Sequence, residues 1–215
     1  LSQSKYTIIE SRALINNIHL SHLEIQSTLF ELIDTSLSIT YLKININHYN
    51  TCFTSNLNIL TPNLTELHIK DEESRYKADV MYSICLDKLN VTHLSITNGG
   101  TNMNQKISYP NTITHLSLYG NFCENLIKMN ALHEGLLHLV LDDQIPSDPN
   151  DSNDSDSSID DDILSHDSFN KVIEKTWLPS TLETLVMNNF NHPIDVGILP
   201  KNLKVLKLNS LEHPL

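Results

Sequence analysis

Val91-Thr-His-Leu94-Ser-Ile96 is followed 22 residues later by Ile113-Thr-His-Leu116-Ser-Leu118. The two stretches differ only in which aliphatic side chain fills an aliphatic position. Their shared phrase is apolar, two residues, Leu, one residue, apolar. Upstream it stands at Leu20-Ser-His-Leu23-Glu-Ile25, Ile39-Thr-Tyr-Leu42-Lys-Ile44 and Leu64-Thr-Glu-Leu67-His-Ile69. Downstream it returns as Leu136-Leu-His-Leu139-Val-Leu141, Leu182-Glu-Thr-Leu185-Val-Met187 and Leu203-Lys-Val-Leu206-Lys-Leu208. The central leucines fall at 23, 42, 67, 94, 116, 139, 185 and 206, in steps of 19, 25, 27, 22, 23, 46 and 21 residues.

In a strand, the central Leu and the apolar residue two places on point to one side. A single strand of this kind has nothing to bury that side against. Copies laid side by side in a parallel sheet bury a continuous column of Leu and Ile, which is the logic of a solenoid. Each fully buried Leu or Ile contributes roughly 1.5–3 kcal/mol. About three such residues per repeat are expected to offset the entropy of ordering the turns.

The 46-residue step is the irregular one. Phe169-Asn-Lys-Val-Ile173 matches Phe190-Asn-His-Pro-Ile194, which follows the next strand. It therefore belongs to a return path, and the step is expected to hide an insertion and no missing strand. The insertion is an acidic segment at about 142–168, with ten Asp and no Lys or Arg. Such sequence buries little and is expected to be disordered. Within it, Asp151-Ser-Asn153-Asp-Ser155 lacks the Gly and Glu that a calcium loop needs at its sixth and twelfth positions. Ser157 and Ser158 each precede an Asp by three residues, a pattern acid-directed kinases accept.

The return paths differ in length. Pro62, Pro110, Pro179 and Pro200 sit shortly before strands, where a fixed φ sets the angle at which the chain turns in. Ser74 to Leu86 places Tyr76, Val80, Met81 and Ile84 at helical spacing, with Asp71, Glu72 and Glu73 near the end that favours anions. Ser27 to Ile33 and Glu124 to Leu132 are further helical candidates.

Steps of 20–29 residues around a Leu-x-x-Leu-x-Leu strand resemble leucine-rich repeats. Residues 169–215 resemble one relative of that family more closely. Phe190-Asn191-His192-Pro193-Ile194, then Gly197, Leu199-Pro200 and the strand at Leu203, Leu206 and Leu208 are similar to the FNIP repeat. Upstream, the strand phrase survives while the Phe-Asn pair degrades to Asn121-Phe122 or disappears. The Asn of ordinary leucine-rich repeats is replaced by Phe190. The implied fold is α/β: a leucine-rich-repeat-like solenoid over 1–215, about eight repeats, with a parallel β-sheet on the concave face and turns and short helices on the convex side. The resemblance also implies interaction and no catalysis. Such repeats resemble modules joined to F-box or kinase domains, so a fragment of a ubiquitin-ligase substrate receptor is the alternative to a free-standing scaffold.

Composition narrows the function further. The net charge is −12, but it falls to −2 without the acidic segment. The body carries no basic stripe of the kind that binds nucleic acid. No run approaches the ~18 apolar residues needed to span a membrane. Cys52, Cys85 and Cys123 are an odd, sparse set and do not read as a disulfide framework, so a cytoplasmic location is expected. No cysteine lies in a nucleophile context, and five glycines supply no phosphate loop, so no enzyme, cofactor or metal is expected. Asn63-Leu-Thr65 and Asn90-Val-Thr92 are formal glycosylation sequons at strand starts, where a glycan would crowd its neighbours.

The candidate site follows from alternation. The residues before each central Leu form one concave column: His22, Tyr41, Glu66, His93, His115, His138, Thr184 and Val205. Those after it form a second: Glu24, Lys43, His68, Ser95, Ser117, Val140, Val186 and Lys207. His93, His115 and His138 thus fall side by side, about 4.8 Å apart. A zinc site would need a fourth ligand and an orienting shell, so a solvated or partner-binding histidine row is the stronger reading. A protein partner is expected on the middle repeats, over His93, His115 and His138 with Tyr119, Ser95, Ser117, His68 and Glu66. The short serines are expected to leave room for its side chains between the imidazoles. Binding is expected to respond to pH near ~6.5 as the imidazoles charge and repel.

Overall fold

The computed structural model describes residues 21–26, 38–46, 61–71, 83–98, 106–120, 132–142, 172–209 and 212. Every strand phrase found in the sequence is a strand: β1 His22–Gln26, β2 Tyr41–Ile46, β3 Glu66–Asp71, β5 His93–Asn98, β7 His115–Gly120, β8 His138–Asp142, β9 Thr184–Met187 and β10 Val205–Leu208. Two short strands lie between them, β4 Ser83–Cys85 and β6 Lys106–Ser108. The eight long strands form one sheet in the order β1-β2-β3-β5-β7-β8-β9-β10, and every adjacent pair is parallel. Leu23, Leu42, Leu67, Leu94, Leu116, Leu139, Leu185 and Leu206 are register partners in turn.

The core is built as the alternation requires. The central leucines from Leu23 to Leu185 are buried, and so are the apolar residues two places on, from Ile25 to Met187. A third buried column, Ile39, Leu64, Val91, Ile113, Leu136 and Leu182, lies three places before the central Leu, where the chain turns into the strand. Burial weakens only in the last repeat. Leu203, Leu206 and Leu208 on and before β10 are half-buried, in contrast to Leu23 and Ile25 on β1 at the other edge of the sheet.

A backbone spine holds the register where strands begin. The carbonyls of Ser21, Thr40, Thr65, Thr92, Thr114, Leu137 and Glu183 each accept two N–H groups from the next repeat, at 2.8–3.0 Å. Thr40, Thr65, Thr92 and Thr114 add a hydroxyl that donates to the same carbonyls at 3.1–3.3 Å. Just before the strands, the N–H groups of Leu64, Ile113, Leu136, Leu182 and Leu203 donate three residues back, closing turns that prolines mark in every case but His133–Leu136.

The 46-residue step closes as an insertion should: β8 pairs directly with β9. Glu134 clamps its far side, accepting from the Ser180 N–H at 3.0 Å and the Ser180 hydroxyl at 2.7 Å. Thr181 donates to the Glu134 carbonyl at 2.7 Å. The insertion's interior lies outside the described residues. Phe190, at the position of the usual repeat Asn, is fully buried, so apolar packing replaces an amide there. Ile173 is buried as well, in keeping with the matching Phe-Asn stretches on consecutive return paths.

The helical expectation needs correction in part. Residues 83–85 of the Ser74–Leu86 stretch are strand β4, paired in parallel with β6 as a small second sheet. Three extended residues satisfy the backbone of two neighbouring return paths at once, which a helix over Ile84 would not. Residues 72–82, and the helical candidates at 27–33 and 124–131, lie outside the described residues. Among the described residues there is no helix.

Candidate functional site

Side chains on the face opposite the leucines fall into three columns, because parity repeats every second residue. The first holds the histidines, the second Ser95 and Ser117, and the third Lys70, Thr97, Tyr119, Asp142, Asn188 and Asn209. Tyr119 is thus four residues along the strand from His115, at the opposite border of the face rather than beside it.

The histidine row is tighter than strand spacing implies. The rings of His93 and His115 stack with centroids 4.0 Å apart and planes 17° apart, and those of His115 and His138 at 4.1 Å and 15°. Parallel strands fix the Cα spacing near 4.8 Å, and the rings lean together until their faces touch. This corrects one expectation: nothing fits between the imidazoles.

Neighbouring hydroxyls orient two of the rings. The Thr92 oxygen lies 3.0 Å from His93 Nδ1, and the Thr114 oxygen 2.9 Å from His115 Nδ1. Each threonine has one proton to give. When it donates to the carbonyl of the preceding repeat, the imidazole Nδ1–H donates to the hydroxyl and Nε2 is left as an acceptor. The alternative tautomer exchanges these roles. His138 follows Leu137 and lacks such a hydroxyl beside it.

Burial pulls the His115 imidazole down to about 4, with His93 and His138 on either side lowering it further and Glu66 opposing them. The centre of the row therefore resists protonation far below the ~6.5 expected of a free imidazole. Upstream, Glu66 is occupied by His68, whose Nε2 lies 2.7 Å from its carboxylate. The His68 ring in turn lies 4.9 Å from Tyr41, and Tyr41 stacks on His22 at 5.2 Å. Glu66, His68, Ser95 and Ser117 all lie on the same face as the histidines, in register rows. Among the described residues no group of three His, Cys, Asp or Glu side chains is arranged to hold a metal ion. No described helix is long and apolar enough to cross a membrane.

Two features were missed in the sequence. One is an amide ladder along the third column, where Asn209 donates to Asn188 at 3.0 Å and Asn188 donates to Asp142. The second is Asn191 of the Phe-Asn pair, whose side-chain oxygen accepts the Glu212 N–H at 2.9 Å. The signal for the ladder was present in the sequence, as Asp142, Asn188 and Asn209 recur one residue after the strand's last apolar position.

Residues 166–211 match the FNIP Repeat family. This covers both Phe-Asn stretches and β9 and β10, so that part of the chain is similar to FNIP repeats. Among solved structures it is similar to CroV588, described as a novel circular LRR protein structure, with 18% identity and a TM-score of 0.34. The match covers 88% of this chain and 33% of the other, so the chain spans about a third of that protein's length. No curated protein matches the chain.

Proposed function

We propose that the concave sheet is a non-catalytic docking face for a protein partner, centred on His93, His115 and His138. The observation that carries this is the continuous wall of stacked rings, set on a rigid parallel sheet and turned away from the core. The short Ser95 and Ser117 run alongside, so the ring edges stand above their neighbours. Rigid rings lose little conformational entropy on binding, which favours them as contact residues. Repeat solenoids of this kind lend themselves to such contacts because neighbouring repeats hold the face at fixed spacing.

The test replaces His93, His115 and His138 together by Ser and compares capture of a partner at pH 7.5 by the variant and the native chain. Melting is recorded in parallel to show that both are folded. The variant is expected to lose the partner. Full retention by a folded variant would move the site off this face.

A further inference from the structure

The histidine row begins on β5 beside an unfilled carboxylate. One face of the His93 ring is covered by His115 at 4.0 Å. The other turns toward β3 and meets no ring among the described residues. The register partner of His93 on β3 is Glu66, so in column order Glu66 stands between His93 and Tyr41. The Glu66 side chain is 41% exposed, and its Oε1 is engaged by His68 Nε2 at 2.7 Å, two residues along the same strand. A carboxylate has about four acceptor sites, and Oε2 has no hydrogen-bond or ion-pair partner among the described residues. Lys43, across from His68 on β2, is held by Glu24 at 2.7 Å. The bond to His68 fixes the carboxylate, so its free oxygen is offered at a set place next to an open ring face.

We propose that Glu66 and the open face of His93 together bind one arginine side chain of the protein partner. The proposal rests on the docking-face reading and specifies where that face is anchored. A guanidinium is flat, so it lies against the imidazole as the next plane of the row, near the 4.0 Å separation of His93 and His115. Strands step by about 4.8 Å, which sets that plane over β3, the strand that carries Glu66. The guanidinium N–H groups radiate within its own plane, so they reach the carboxylate without leaving the ring. A lysine ammonium would satisfy the carboxylate but has no face to stack. A partner aromatic ring would stack but leave Oε2 without a donor. The far end of the row lacks this combination: beyond His138 stands Thr184, and the neighbouring Glu183 is held by Lys204 at 2.8 Å.

The experiment titrates the full chain at low salt with N-acetyl-argininamide, N-acetyl-lysinamide or N-acetyl-tryptophanamide and follows imidazole C–H signals by NMR. The arginine probe is expected to shift His93 and His68 more than His138, and to bind at least fivefold more tightly than either other probe. Glu66→Gln keeps the side chain's size and an acceptor for His68. It is expected to weaken the arginine probe at least tenfold at an unchanged melting temperature, whereas Glu183→Gln leaves the probe's affinity as it was. His93→Ser removes the stacking face and is expected to bring the arginine probe down to the affinity of the lysine probe, which decides the matter should Glu66→Gln not fold. Shifts centred on His138, equal or tighter binding of the lysine or tryptophan probe, or unchanged affinity in a folded Glu66→Gln chain would each overturn the arginine site. The partner assay separates the two readings. Loss of partner in the triple serine variant with full retention in Glu66→Gln overturns the arginine site alone, and retention in both overturns the face.

Discussion

The imidazoles of His93 and His115 lie 4.0 Å apart and nearly parallel, closer together than the strands that carry them. Two such rings tolerate contact as neutral groups and resist sharing positive charge. His115, with a ring on each side, resists it most.

This sets a pH dependence of stability. The folded chain protonates His115 only near 4, while the unfolded chain does so near ~6.5. Between those values the unfolded state binds more protons, so stability is complete above about 6.5 and is lost as pH falls toward 4. After allowance for solvent screening, the loss is on the order of 1 kcal/mol. Replacing His115 by Ser is expected to remove that component. The native chain's Tm should therefore fall between pH 7.5 and pH 5 by a few degrees more than the variant's, measured by circular dichroism. Equal falls would show that the row does not carry the strain.

The core should weaken toward β10. Leu116 is 1% exposed at the middle of the sheet, and Leu116→Ala is expected to cost about 3 kcal/mol. Leu206 holds the same position in the half-buried last repeat, and Leu206→Ala is expected to cost only about 1 kcal/mol. Urea titration of both variants checks the contrast. Equal losses would mean that β10 is covered in solution.

Glu134 should matter more than its exposure suggests. Its carboxylate holds Ser180 through two hydrogen bonds across 46 residues of chain. Glu134→Ala is expected to cost about 1 kcal/mol, read as a Tm lower by roughly 2–4 °C. An unchanged Tm would show that the β8–β9 ladder alone closes the step.

Gly197 adopts a φ of +83°, and beyond its two chain neighbours no heavy atom lies within 4 Å of where a Cβ would stand. Gly197→Ala is therefore limited by backbone conformation and not by space, and is expected to cost about 1 kcal/mol. A neutral result in thermal melts would mean that the turn relaxes to negative φ.

The sequence made the long strands legible because parity and period act together: a Leu that recurs with an apolar residue two places on has one way to be buried. β4 and β6 were not legible, because three residues carry no period and Ile84 suits a helix as well as a strand. The histidine row was legible as a row. Its contact distance was not, since that depends on how far rings lean from their strands. Tyr119 lies on the face opposite the leucines, as its parity required, but adjacency in sequence hid the length of strand separating it from His115.

The doubled hydrogen bonds at the seven strand starts have a consequence for how such a chain changes over generations. They run from main chain to main chain, so the distance from one row of exposed side chains to the next is set without reference to what happens on the opposite side of the coil. A step of 19 residues and a step of 46 deliver the following strand to the same pitch. Loops on the outer side are thus free to lengthen, shorten or acquire new sequence while the inner surface keeps its spacing, and the two sides of the molecule are open to independent selection.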